Sequence, residues 1–483
     1  MSAASYGTNK AAEPIAGEFE HILFPRAPIH QDASLLAKFL STLAYEEIPS
    51  DAVYRAKVIA LDTIGCIAAG SDTPLGRSIL ATYATQQSSA GCSVPGTSAR
   101  LPPSMAAKVN AWLSDVLDFE DTCLGHPSAT VIPAALATAE YLGASPRQFL
   151  AGIVAGYEAG TRFHDATQAT PEVYKRFAVY HAWHGIAAGA AAIVTAGGTE
   201  DQVRSALGHA AANTSLPLWY VQYGRPAHAL KANFGQMALG GVDAALCARE
   251  GIVGPFAMLS DAERGFAYII GSDRFDPQQL SAGLRKIWRI RESCLKAFPA
   301  CGFLHTSVDA ASKIVSEIKI DPRSIAHLTI RTFGRIADWF SDNAPASDID
   351  AQLSVQYVCA MALLGLRPGR EWYTPALLAD PRVGELMSKI SVEIDPVAER
   401  GFWDNKFSST VNVSLINGEM HTATVDLAPG HWLRPMSESD VANKFLANVK
   451  GTSLEYRGEE LIRAIMKLDE APSLKELQTL LAG

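Results

Sequence analysis

The chain has 483 residues, 48% hydrophobic and 19% charged, and 41 Lys and Arg against 50 Asp and Glu give a net charge of −9. Such a chain is long enough to bury one large core or two smaller ones, and without a basic block it is a poor nucleic-acid binder. It has no apolar run of the ~18 residues a membrane span needs, and its seven dilute cysteines form no CxxC pair, which favours reduced thiols over a zinc ribbon or disulfide framework.

Residues 1–30 carry Glu13, Glu18 and Glu20 and no apolar h-region. They read as a flexible N-terminal arm, neither a secretory signal nor an Arg-rich transit peptide, so an intracellular protein is expected, cytoplasmic rather than mitochondrial. From there the pattern is helical. Ser34–Leu43 reads as a short amphipathic helix, and Ser50 or Asp51 after Pro49 is positioned to cap Ala52–Ala69. Helices follow at Ser104–Leu117, Val131–Leu142, Pro146–Ala166, His184–Ala196, Glu200–Ala212 and Gly235–Arg249. The stretch 185–198 (GIAAGAAAIVTAGG) is apolar all round, which predicts a helix buried on every side.

Near residue 290 the character changes. Residues 325–333, 390–394 and 408–415 alternate apolar with polar, as half-buried strands do. Asn417-Gly418 joins the last of these to 419–425 as a hairpin. Helices at Ser307–Glu317 and Ala351–Leu364 lie among the strands, and Ser437 to Asp440 starts a final helical stretch. The expectation is a mainly α protein. A large all-helical domain (31–291, completed by 436–483) carries an inserted, smaller α+β lid domain (292–435), and a cleft between the two is the default ligand site.

Four polar clusters interrupt the apolar background. Asp118-Phe119-Glu120-Asp121-Thr122, followed by His126-Pro127, lies between two apolar helices; an acidic capping loop would look the same. His181 and His184 sit at the mouth of the most buried helix, where free N–H groups and partial positive charge suit a carboxylate. Arg225, His228 and Lys231 are spaced by three before another buried helix, and Lys296 and Cys301, with His305 beyond, fall at the domain junction. No phosphate-binding or dinucleotide glycine loop, GxSxG, HExxH or persuasive metal spacing is present. What is left is imidazole, lysine, carboxylate and hydroxyl, a set suited to proton transfer beside a carboxylate held by cations.

In their order and spacing, the clusters resemble the MmgE/PrpD family, which includes 2-methylcitrate dehydratase and cis-aconitate decarboxylase. The likeness runs through 46–70, 118–140, 231–251, 296–310, Ser354-Val355-Gln356-Tyr357 and Arg434-Pro435-Met436-Ser437. It implies a homodimer without metal or organic cofactor. It places the family's catalytic Asp, Thr and His on Asp118, Thr122 and His126, and its lysines on Lys231 and Lys296. Where animal decarboxylases carry a histidine resembling a proton donor, this chain has Cys301, as some fungal ones do. His181 and His184 compete for one family histidine, with His184 slightly favoured, and Trp339 lies near the place of the family's pocket tyrosine. The expected function is a cofactor-independent lyase on a small polycarboxylate, first as a dehydratase of a citrate-type acid, with Lys231, Lys296, Arg225 and His228 about the substrate. Decarboxylation of a cis-aconitate-like acid is the runner-up, then epimerisation of an imino or amino diacid, and a non-catalytic binding protein is the distant alternative.

Overall fold

The computed structural model describes residues 29–177, 181–215, 228–404 and 406–482. The arm to residue 28, and Arg225, lie outside them. The fold is mainly helical. At its centre is the helix His184–Thr195, every residue of which is buried. Helices Pro127–Leu142, Pro146–Ala166, Glu200–Ala212 and Ala229–Arg249 pack around it. Small residues permit the close approach: a Cβ on Gly241 would stand 2.5 Å from that of Ala188. Among the described residues no helix is long and apolar enough to cross a membrane.

Two helix starts shift from the sequence reading. Pro127–Leu142 begins four residues early because Pro127 supplies a preset φ at the first turn. Ala229–Arg249 begins before Gly235, which brings Lys231 into its first turn. The Ser50–Ser71 helix has Pro49, not Ser50 or Asp51, at its N-cap, and Asp51 Oδ1 accepts from the first-turn Ala52 N–H at 3.0 Å. The expected helix over 351–364 is broken into Asp348–Gln352 and Val355–Leu363, the second capped by the Ser354 hydroxyl.

The strands are β1 (Cys92–Ser93), β2 (Arg100–Leu101), β3 (Asp121–Thr122), β4 (Cys294–Leu295), β5 (Ile325–Thr332), β6 (Ile390–Ile394), β7 (Ser409–Leu415) and β8 (Met420–Val425). The last four form a sheet in the order β6-β5-β7-β8, with β6 parallel to β5 and the others antiparallel. Gly418 takes the left-handed turn (φ 89°) of the β7–β8 hairpin. Helix His305–Ser316 covers this sheet and in turn packs on Val355–Leu363. The helix Glu438–Val449, capped by Ser437, returns to pack on Ser50–Ser71.

Candidate active site

The two-residue ladder β3–β4 decides where the site forms. It pairs Asp121 with Leu295 and Thr122 with Cys294, and so lays the acidic loop against the junction segment that carries Lys296. Lys444, from the C-terminal helix, fastens both. Its ammonium donates to the carbonyls of Phe119 (2.6 Å) and Lys296 (2.9 Å) and pairs with buried Asp62 at 2.7 Å. Gln352 adds a third tie, donating to Val116 O at 2.8 Å while its own carbonyl accepts from Cys301 N–H. The loop is bent hard between these ties: Asp118 (φ 50°) and Leu124 (φ 56°) are left-handed without being glycine, a strain that folds tolerate mainly at functional sites.

Within the loop, Glu120 and His126 make the central contact. The Glu120 carboxylate is hydrogen-bonded to His126 Nδ1, so Nδ1 carries the hydrogen and Nε2 is the nitrogen left for the cavity. Lys296 Nζ pairs with Asp118 Oδ1 and lies 3.4 Å from the same His126 Nδ1. Lys231 Nζ is 3.2 Å from Asp115 Oδ1 and 3.7 Å from Asp118 Oδ2. Sequence reading passed over Asp115 and took Glu120 only as part of an acidic run. The signal available was that Asp115 closes an apolar helix, where an acid faces the unfavourable end of the dipole.

The electrostatics of the cluster close on themselves. Burial would raise the Asp118 carboxyl, but Lys231 and Lys296 outweigh it and hold it well below the usual range. Against burial, Lys296 and His126 bring Glu120 down to about 2. Asp115 goes the other way: burial, then the charge of Glu120, pushes it well above its ordinary value. Both lysines overcome burial through these acids and stay charged. Burial, then Lys296, lowers His126, leaving it neutral at neutral pH. Three acids, Asp115, Asp118 and Glu120, thus face two ammonium groups, and the cluster has no positive charge to spare. Asp115, Asp118, Glu120 and His126 each offer one ligand atom within 4.8 Å of the others. Lys231 and Lys296 already pair with the three carboxylates of this group, so a divalent ion there would compete with two ammonium charges.

A cavity of about 720 Å³ opens beside the cluster, between the helical unit and the α+β unit. Asp118, Thr122, His126, His181, Lys296 and Cys301 line it. Burial pushes the Cys301 thiol up to about 12. The two competing histidines differ in position. His184 Nδ1 donates to His181 O (2.7 Å) and its Nε2 accepts from His126 N–H (3.0 Å), so both nitrogens are spent on backbone and the ring is stacked on Trp183. His181 is the one at the cavity wall, its ring 5.8 Å from that of His126. Three further sequence candidates sit elsewhere. Lys231 is 1% exposed behind Asp115. His228 is exposed and faces Asp348 at 3.5 Å. Trp339 stacks on Tyr174 outside the lining. Two lining cations, Arg274 and Arg335, were missed, because nothing around either marks it out from a surface arginine.

Residues 34–278 match the MmgE/PrpD N-terminal domain and residues 298–470 the MmgE/PrpD C-terminal domain. The chain belongs to the MmgE/PrpD family. A cis-aconitate decarboxylase of Homo sapiens is 29% identical over 449 residues, covering 89% of this chain and 90% of its own. That of Aspergillus terreus (strain NIH 2624 / FGSC A1156) is 25% identical over 477 residues, covering 92% and 95%. A 2-methylcitrate dehydratase of Cupriavidus necator is 25% identical over 437 residues, covering 84% and 88%. These relatives are lyases by name, and their named substrates are small polycarboxylates.

Proposed function

We propose that this MmgE/PrpD protein is a lyase on a small polycarboxylate, and that its reaction is decarboxylation of an unsaturated acid of the cis-aconitate type. The observation that carries the lyase reading is the Glu120–His126 pair, with Nε2 left for a cavity whose wall also holds Asp118 and Lys296. A carboxylate behind an imidazole fixes its tautomer and stabilises the imidazolium when it forms. A substrate carboxylate arriving beside His126 raises the pKa of the ring, so binding loads it with a proton. Then the C–C bond to the departing carboxylate breaks and carbon dioxide leaves. The released pair shifts the double bond by one position, and the far carbon takes the proton from His126 Nε2. Cys301 is the weaker candidate donor, since a thiol near 12 is far from the operating pH.

The order differs from the sequence reading, which put dehydration first. Supporting the change are the names of the relatives, since the human and Aspergillus terreus proteins are cis-aconitate decarboxylases. Dehydration stays as the second reading because His126, neutral at rest, can equally take a proton alpha to a carboxylate. Purified protein should be given cis-aconitate and, separately, 2-methylcitrate, with carbon dioxide and unsaturated acid followed independently. Carbon dioxide from cis-aconitate is expected. Water loss from the citrate without carbon dioxide would transfer the reading to dehydration, and no turnover of either acid would overturn the lyase assignment.

A further inference from the structure

The inner cluster leaves a polycarboxylate short of partners. Lys231 and Lys296 are already matched by Asp115, Asp118 and Glu120, so neither brings net positive charge to the cavity. Arg335 does. It is half-buried, lines the same cavity from the short helix Gly334–Trp339, and among the described residues has neither an ion pair nor a hydrogen bond. Its guanidinium carbon is 4.2 Å from the Trp339 ring centroid, 4.6 Å from Tyr174, 5.2 Å from Phe402 and 5.7 Å from Phe303. Tyr174 comes from the helical unit and the other three from the α+β unit, so the aromatic cage is closed by both walls of the cleft.

Aromatic contacts use the π-system of a guanidinium and leave its in-plane N–H donors unspent. A cation so held has lost side-chain freedom before any ligand arrives, which lowers the entropy of capture. Its planar fork matches a carboxylate with two parallel hydrogen bonds. Resting on the polycarboxylate reading above, we infer that Arg335 is a substrate-anchoring, specificity-determining residue: it grips one carboxylate while the reacting end of the same molecule lies at His126. The site would then select acids by the number of their carboxylates.

The test uses full-length protein and a non-reacting probe, propane-1,2,3-tricarboxylate, with glutarate as its two-carboxylate counterpart. Calorimetry on the wild type should show the tricarboxylate bound at least ~10-fold more tightly than glutarate. Arg335→Gln should weaken the tricarboxylate ~10–100-fold and bring the two acids to similar affinity, with kcat on any turned-over acid changed less than KM. Arg335→Lys should recover part of the discrimination. An undiminished preference for the tricarboxylate in Arg335→Gln, or an equal loss for both acids, would overturn the anchor. Probe binding in a wild type that turns over no acid would sink the lyase reading alone, and loss of that binding in Arg335→Gln would still support the anchor. Absence of both turnover and binding would sink both.

Discussion

Glu120 stands behind His126 as the partner of Nδ1, six residues away along the chain but face to face across the bent loop. The loop geometry that allows this, with Asp118 and Leu124 in left-handed conformations, holds together the pair proposed to carry the proton. Replacing Glu120 by Gln keeps the shape and removes the charge that stabilises imidazolium. We expect kcat to fall ~10²–10⁴-fold with KM changed far less, as steady-state kinetics would show.

The pH profile follows from the same pair. Free His126 titrates below 6.5, chiefly through burial and then Lys296. For decarboxylation by imidazolium, kcat/KM falls as pH rises through that lowered value. The limb in kcat lies at higher pH, because bound carboxylates raise the ring. In Glu120→Gln both limbs move down, since Glu120 is among the groups that raise it. A rate that instead grows with pH across this range would indicate proton abstraction and favour dehydration.

The two histidines at the mouth of the buried helix, His181 and His184, should separate cleanly. His184→Phe removes the acceptor of His126 N–H and the donor to His181 O. It should therefore lower stability by about 1–3 kcal/mol as well as activity. His181→Gln should lower kcat with a melting transition close to wild type. Urea melts and turnover on the same preparations decide, and the opposite pattern would exchange their roles. Gly125→Ala probes the same packing and should also lower stability, because its Cβ would fall 2.8 Å from both His184 and Trp183 at a φ of 154°.

Lys231→Met leaves Asp118 with one cation fewer in a fully buried place. Breaking a buried pair from one side costs about 3–5 kcal/mol, a large part of the stability of any domain. Adding Asp118→Asn should recover part of the loss, because it removes an acid that Lys231 pairs with. Chemical denaturation of the single and double variants measures the difference. Chelator treatment should leave turnover unchanged, since Lys231 and Lys296 already pair with the carboxylates a metal ion would use.

Much of this was written in the pattern of residues. The β7–β8 hairpin followed from Asn417-Gly418 between alternating runs, and the helices Pro146–Ala166 and Glu200–Ala212 appear with the expected bounds. The buried run after His184 is as enclosed as its composition demands. The parallel pairing of β6 with β5 was not legible, because nothing local distinguishes it from an antiparallel neighbour. In the site, residue types were readable but their pairing was not. Whether Lys231 meets a substrate or Asp115 depends on two helices separated by 116 positions. The choice between His181 and His184 turned on which backbone groups lay within reach, and the role proposed for Arg335 on its having no ion pair among the described residues.

Lys444 has a temporal meaning as well as a spatial one. It lies 148 positions beyond Lys296, whose carbonyl it holds, and 325 beyond Phe119. During synthesis the acidic loop and the junction lysine lack their common fastening until the helix Glu438–Val449 emerges. The nascent chain therefore holds the acidic loop and the junction lysine without their shared tie until Lys444 has been made.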